Sequence, residues 1–310
     1  MMERFEITEE QRGMRLDLML TEMYPEHTRS YLQKQVKNGA VLLNGKTAKP
    51  GASLKPGDMV DAEFSEPEEP EVLPEPIPLT VVYEDSDVIL VDKPKGMVVH
   101  PAPGHTSGTL VNALLYHCRD LSGINGVLRP GIVHRIDKDT TGLVIACKND
   151  MAHQSLAGQL KAHTVTRRYY AIVNGNFRED EGVVNAPIAR HRTERKKMAV
   201  DPSGREAITH FRVLERFGNY TFLECRLETG RTHQIRVHMS HIGHPLLGDE
   251  QYGSGKSRFH TEGQCLHAYI FGFIHPRTGE YMEFQSELPT YFTKILTALR
   301  KSCEIQQGLL

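Results

Sequence analysis

The chain lacks the long apolar run that a membrane demands. Nothing in its 310 residues approaches the ~18 consecutive apolar residues of a spanning helix. The opening residues, Met1-Met2-Glu3-Arg4-Phe5-Glu6, hold no apolar core of the kind a secretory signal needs. Cysteine is sparse. The five present (Cys118, Cys147, Cys225, Cys265 and Cys303) are scattered, odd in number and free of Cys-x-x-Cys spacing, which argues against a disulfide framework or a structural zinc site. These absences point to a soluble protein of a reducing cytoplasm, with no membrane partner. Net charge is nearly absent as well, at −2, so the whole-chain average gives no basic footprint of nucleic-acid binding.

The average conceals the distribution. From His27 through Gly57 there is no acidic residue, while Arg29, Lys34, Lys37, Lys46, Lys49 and Lys55 all occur. The acidic run Glu66-Pro67-Glu68-Glu69-Pro70-Glu71 then cancels that stripe in any sum. Charge distribution matters more than its total for a polyanionic partner. With 39% hydrophobic and 25% charged residues, the chain has enough material for about two domains with buried cores.

Composition shifts mark three segments. In residues 1–64, Leu16, Met19, Leu20 and Met23 follow helical spacing. Thr28 is placed to cap a second helix that carries Leu32 and Val36 and ends near Gly39. Val41-Leu42-Leu43 reads as a strand entering the Asn44-Gly45 turn. Residues 65–78 contain Pro67, Pro70, Pro74, Pro76 and Pro78 among repeated glutamates, and read as a stiff, extended linker without a core. Residues 79–310 form the remaining domain. Strand signals at 81–83, 88–91, 169–173, 210–214, 220–227 and 281–285 outnumber the helices expected around Leu110-Ala113-Leu114 and from an Asp150 cap to Lys161. Many strands and few helices predict an α+β fold on a mostly antiparallel sheet.

The chemistry is concentrated in Gly131-Ile132-Val133-His134-Arg135-Ile136-Asp137-Lys138-Asp139-Thr140-Thr141-Gly142. A strand-like apolar run feeds a charged loop, and Gly142-Leu143-Val144-Ile145-Ala146 opens a buried strand. A carboxylate seated between two strands has the rigid base that covalent chemistry needs. By itself the loop also reads as a solvated turn aspartate. Further along come Arg167-Arg168-Tyr169-Tyr170-Ala171, then Thr229-Gly230-Arg231-Thr232-His233-Gln234-Ile235-Arg236-Val237-His238 with Gly248-Asp249 and Tyr252-Gly253, then Leu266-His267-Ala268 with His275-Pro276.

These four ordered blocks, spread over about residues 80 to 290, resemble the RluA-type pseudouridine synthase family. Ile136 stands where that family usually has leucine, and Arg167 where it usually has lysine. The N-terminal helices and Asn-Gly turn resemble the αL RNA-binding module of a small-subunit ribosomal protein, as in the RluD-like subgroup. The resemblance implies a mixed sheet with a central cleft, preceded by a small α/β RNA-binding module. It implies Asp137 as the catalytic carboxylate, Arg236 as its cationic partner and Tyr169 against the uracil face.

Arg135 is then expected to help hold an everted nucleotide, since a paired base must leave its stack to be worked on. Arg29, Lys34, Lys37 and Lys46 of the N-terminal module, with Arg190, Arg192, Lys196 and Lys197, are the expected phosphate contacts; a solvated charge run is the alternative. The reaction breaks the bond from ribose to base nitrogen and rejoins the base through carbon. It consumes no redox equivalent, phosphate or metal, so no cofactor is expected. Whether the carboxylate attacks sugar or base, or removes a sugar proton, stays open. An ionised Asp137 is needed in each case, and a cation within about 4–6 Å favours that form.

The expected partner is a structured ribosomal RNA stem-loop of the large subunit, with transfer RNA as the runner-up; a monomer is expected. Two other readings exist. A non-catalytic ribosome-assembly protein would account for the basic module but not for the Asp137 loop. A metal-dependent hydrolase would draw on His233, His238, His241 and His244, whose spacing matches neither His-Glu-x-x-His nor the deaminase pattern.

Overall fold

The computed structural model describes residues 2–64, 72–102, 104–124, 126, 129–254 and 257–307. The chain divides into two compact units, Met1–Glu69 and Pro70–Leu310.

The first unit runs β1 (Glu3–Glu6), α1 (Leu16–Met23), α2 (Arg29–Lys37), β2 (Val41–Leu43), β3 (Lys46–Thr47) and β4 (Met59–Ala62). Its four strands pair antiparallel in the order β1-β4-β2-β3. Thr28 caps α2 by accepting from the Tyr31 N–H at 3.3 Å. Asn44 and Gly45 both take positive φ, 53° and 73°, as a two-residue hairpin turn requires. Leu16, Met19, Leu20, Leu32, Val36, Val41, Leu54 and Val60 close one small core. Beneath it lies a fully buried carboxylate. Asp17 accepts from Arg15 at 2.9 Å, from Arg29 at 2.9 Å and from Gln33 at 2.5 Å.

The second unit carries β5 (Thr80–Glu84), β6 (Val88–Lys93), α3 (Leu110–His117), β7 (Thr141–Cys147), α4 (Asp150–Lys161), β8 (Thr166–Asn174), β9 (Glu181–Asn185), β10 (Ile188–Arg190) and β11 (Met198–Val200). It continues through β12 (Ile208–Arg216), β13 (Tyr220–Leu227), α5 (Gln234–His241), β14 (Leu266–Ile274), β15 (Tyr281–Gln285) and α6 (Thr290–Gln307). A nine-stranded sheet follows the order β5-β6-β7-β14-β8-β13-β12-β9, with β15 beside β14. All its pairings are antiparallel except β7 with β14. This is the expected mixed, mostly antiparallel α+β sheet. Every residue of β7 is buried, so its apolar run is explained by neighbours on all sides. Where β7 meets β14, Gly142 has φ 108°, and a Cβ there would lie 2.2 Å from the Ala268 carbonyl oxygen.

Several expectations need correction. Gly131-Ile132-Val133 is no strand: Ile132 makes one isolated bridge to Ala146, and Gly131 bonds through its backbone to Ser122 and Cys147. Asn149, not Asp150, caps α4, because its side chain accepts from the Ala152 N–H at 2.9 Å. Of the linker expected at 65–78, residues 65–71 lie outside the described residues, and the rest does contribute to a core. Val72 is buried in the second unit. Leu73 O accepts from the Asn112 amide at 2.8 Å, and the Glu75 carboxylate accepts from the Gly108 N–H at 3.0 Å. The prolines remove donors, so the non-proline residues between them make the bonds that dock the segment. Helices α5 and α6 and strand β14 were not foreseen.

Candidate active site

The loop that leads into β7 is pinned along its backbone. His134 Nε2 accepts from the Ile145 N–H at 3.1 Å, and its ring stacks on Phe271 with centroids 4.9 Å apart. Desolvation, with Arg167 adding to it, pushes the imidazole down to about 3, so it stays neutral and keeps that acceptor. Lys93, wholly inaccessible at the end of β6, donates to the carbonyls of Pro94 (2.8 Å), Met97 (2.9 Å) and Lys138 (3.0 Å). Burial pushes its ammonium down to about 7 against the opposing fields of Asp139 and Asp137. At the loop's far end the Thr140 N–H bonds back to Asp137 O at 3.1 Å. The aspartate therefore stands on a fixed backbone.

The partner of that carboxylate comes from α5. Arg236 Nη1 donates to Asp137 Oδ2 at 3.0 Å. Its other two nitrogens grip Asp249, Nε at 2.7 Å and Nη2 at 3.0 Å, and Nη2 also reaches Gln251 Oε1 at 3.2 Å. Burial opposes the charge on Arg236, but the hydrogen bonds and fields of Asp249 and Asp137 outweigh it and raise the guanidinium above its ordinary value. On the other side of the carboxylate, His233 Nε2 stands 3.7 Å from Asp137 Oδ1, beyond hydrogen-bond distance. His233 takes φ 58°, a left-handed conformation at the N-cap of α5. The preceding turn is locked by buried Gln234. Its Oε1 accepts from Thr229 Oγ1 and from the Arg231 N–H, and its Nε2 donates to Ile208 O at 3.0 Å.

Asp137, Arg236, Tyr169, Arg167, Arg231 and His233 share a cleft of ≈ 570 Å³, within the range of small-ligand sites. Tyr169 and Arg167 project from the same face of β8 and are both buried. Desolvation raises the Tyr169 phenol above its ordinary value, opposed by Arg167 and reinforced by Asp137, so it remains a neutral hydroxyl. Arg167 Nη2 donates to Glu228 O at 3.1 Å, while its buried Nε has no partner among the described residues.

The expected RNA contacts divide. Exposed Arg135, also on the cleft wall, has Nη1 3.2 Å from His100 Nε2. Arg29 is engaged with Asp17, Arg192 with Asp201 at 3.1 Å and Lys197 with Glu194 at 2.8 Å. Arg190 donates to Arg195 O at 2.5 Å. Among the described residues, Lys34, Lys37, Lys46 and Lys196 are exposed with no carboxylate within 4.0 Å. The Lys197–Glu194 pair lies at the surface, where an ion pair contributes only ~0–1 kcal/mol and phosphate can replace it, whereas Arg29 is held by the buried Asp17.

The histidines of the hydrolase reading do not meet as ligands. His238 is bonded at both ring nitrogens, to Thr209 Oγ1 and Ala186 O, each at 2.9 Å. His244 bonds Asn174 O and stacks on Phe177. Two other groups have ligand-like spacing among the described residues, Glu84-His117-Cys118 and Asp85-Asp87-His275, and neither includes a cleft residue. Cations already occupy both: Lys148 pairs with Glu84 at 2.9 Å, and Arg277 bonds Asp87 at 2.7 Å. The sequence blocks include Asp249 and Tyr252 without assigning them a role, and Gln251 lies between them unmarked. Their proximity to Arg236 in the chain was the available signal.

A sheet with a central cleft, a carboxylate on a pinned loop and a clamped arginine opposite it now stand together. Residues 87–241 match the RNA pseudouridylate synthase family, and residues 14–60 match the S4 domain. The chain belongs to the RNA pseudouridylate synthase family, and its activity is the isomerisation of uridine in RNA. It is 53% identical over 303 residues to an uncharacterized RNA pseudouridine synthase, YlyB, of Bacillus subtilis strain 168, covering 97% of this chain and 100% of that protein. It is 46% identical to the ribosomal large subunit pseudouridine synthase D of Zymomonas mobilis, over 93% of this chain and 94% of that one. Among solved structures, human RNA pseudouridylate synthase domain containing 1 aligns with a TM-score of 0.56 at 26% identity, covering 76% of this chain and 98% of that chain. Among the described residues, no helix is long and apolar enough to cross a membrane.

Proposed function

We propose that Asp137 carries the isomerisation of uridines in large-subunit ribosomal RNA. In that reaction the N1–C1′ bond of the nucleotide breaks, the base turns, and a C5–C1′ bond forms while the C5 proton is exchanged for one on N1. Atoms and electrons balance without an added reagent. The observation that carries the reading is the 3.0 Å bond from Arg236 to Asp137 on the cleft wall. A cation at that distance favours the ionised carboxylate that every route requires. Tyr169 offers its ring to the uracil and a neutral hydroxyl beside it. Arg135, exposed on the cleft wall, helps hold the turned-out nucleotide.

The large-subunit assignment is supported by relatives named for that RNA, among them the Zymomonas mobilis enzyme. A ribosomal RNA substrate supports a cytoplasmic enzyme. Residues 1–64 supply RNA affinity through Lys34, Lys37, Lys46 and Arg29, residues 65–78 join them to the enzyme, and residues 79–310 perform the chemistry as a monomer. Asp137→Asn tests the chemistry, since it keeps shape while removing charge. It should abolish product with RNA affinity unchanged. Residual turnover above a few per cent, a barrier change of about 2 kcal/mol or less, moves the role to another group. Pseudouridine mapping in a deletion strain tests the substrate: sites lost from large-subunit RNA support it, and sites lost from transfer RNA alone overturn it.

A further inference from the structure

We propose that the turn joining β10 to β11, which carries the Arg192–Lys197 basic segment, sets the geometry of Asp137 through two positioning residues, Gln251 and Tyr252. The proposal rests on Asp137 being the catalytic carboxylate. Two paths start from backbone groups on either side of Lys197, the first hydrogen-bonded throughout and the second ending in a 3.7 Å contact. In the first, Lys196 O accepts from Gln251 Nε2 at 2.6 Å, and Gln251 Oε1 accepts from Arg236, which donates to Asp137 Oδ2. In the second, the Met198 N–H donates to the Tyr252 hydroxyl at 2.8 Å. That hydroxyl lies 2.7 Å from His233 Nδ1, and His233 Nε2 faces Asp137 Oδ1. Asp137 Oδ2 is thus hydrogen-bonded to the turn through Arg236 and Gln251, and Oδ1 faces an imidazole that the same turn orients.

The proton arrangement on the second path follows from the contacts. A lone pair of the imidazole turned toward the carboxylate would be repelled, so Nε2 carries the hydrogen. Nδ1 is then the acceptor, and Tyr252 donates to it while accepting from Met198. Burial holds His233 below its ordinary value despite Asp137, which keeps the ring in that neutral form. Every proton on the path therefore has one place, and the path transmits orientation.

The turn itself is closed by its own bonds. The His191 N–H donates to Lys197 O at 3.0 Å, the Lys197 N–H to Glu194 O at 2.8 Å and Arg190 to Arg195 O. It moves as one piece, with exposed Arg192 and Lys196 on the outside and the two bonded backbone groups on the inside. A phosphate backbone docking on the outer side chains would seat the inner groups and, through them, the carboxylate. Because the contacts on the turn are backbone atoms, what is transmitted is the position of the turn and not its side-chain identity.

Gln251 and Tyr252 are held by their own backbones independently of these paths, since both N–H groups donate to Asp249 Oδ1 at 2.9 and 3.0 Å. Gln251→Met and Tyr252→Phe should therefore fold while severing the two links. The double variant should lose about 10- to 100-fold in single-turnover rate at saturating ribosomal RNA, with Kd within about two-fold of wild type, as expected for a misplaced reacting group. Arg192→Ala with Lys196→Ala should weaken binding and also lower the saturated rate. In the Gln251→Met/Tyr252→Phe background that further loss of rate should vanish. A non-additive cycle supports the coupling; additive losses, or an unchanged rate in the double variant, overturn it. If the double variant fails to fold, the same cycle run with Tyr252→Phe alone decides. Activity surviving in Asp137→Asn would instead remove the underlying catalytic reading, a result separate from the outcome of the cycle.

Discussion

Asp249 holds two nitrogens of Arg236, at 2.7 and 3.0 Å, sharing Nη2 with Gln251, and its carboxylate is fully buried. A planar guanidinium gripped along one edge has its remaining nitrogen aimed, and here that nitrogen meets Asp137. The aim is set by a residue that never touches the cleft.

Arg236→Lys should therefore behave as a severe change. One ammonium cannot serve Asp137, Asp249 and Gln251 together in the fork geometry that arginine supplies. We expect the saturated single-turnover rate to fall at least ~100-fold while the RNA dissociation constant changes little. Leaving Asp249 poorly paired should also cost up to ~3–5 kcal/mol of stability, measured by urea unfolding. A lysine variant with the wild-type rate would remove Arg236 from the reaction.

Gly142 should not tolerate a side chain. An alanine Cβ would meet the Ala268 carbonyl at 2.2 Å, and φ 108° is strained for any other residue. Gly142→Ala should lower stability by about 3 kcal/mol, with β7 and β14 forced apart. The denaturant midpoint reads the change, and a shift below experimental error would show that the strands have room.

The first unit should be acid-sensitive through Asp17. Hydrogen bonds from Arg15, with those from Gln33 and Arg29, outweigh burial and hold its carboxyl well below the usual carboxylate range. A depressed pKa means that the unfolded chain takes up the proton first. The stabilisation is present above the ordinary carboxylate value of ~3.9 and is lost as pH falls below it. Hydrogen-exchange protection factors in α1 and α2 should fall from about pH 4 downward, and Asp17→Asn should flatten that dependence. A fall equally steep in the variant would place the sensitivity elsewhere.

Deleting residues 1–64 should raise the apparent KM and leave the saturated single-turnover rate near normal. The salt slope should become shallower by about 0.7–0.9 per lost phosphate contact. Asp137, Arg236 and Tyr169 all lie in the second unit, so their geometry does not depend on the deleted segment. A folded truncation whose saturated rate collapses would mean that the module positions the uridine.

What the sequence made legible was local. Leu16, Met19 and Leu20 show helical spacing because only one face of α1 is buried, and Asn44-Gly45 announces its turn through backbone conformation alone. The Asp137–Arg236 pairing was reached from the resemblance of two blocks ninety-nine positions apart, not from periodicity. Helix α5 was hidden because Gln234 through Met239 are all buried, which erases the contrast between faces. Gly131-Ile132-Val133 reads as a strand from its apolar run, yet Ile132 is buried as part of a loop folded over β7 and Val133 only partly so. The carboxylates that engage Arg29 and Arg192 are twelve and nine residues away, and no charge count reveals which of them fold back onto the basic stripe.

Lys93 gives the loop an intrinsic reporter. Its amine is sealed from solvent, and one of the three carbonyls that hold it belongs to Lys138, beside Asp137. A water-soluble amine reagent can reach it only when those contacts part. Burial is what holds its pKa near 7, so on exposure the amine returns toward the ordinary lysine value and the labelling is run at alkaline pH. The acylation rate at this one lysine, followed by peptide mass spectrometry, therefore counts openings of the Asp137 loop. Bound RNA should slow that count.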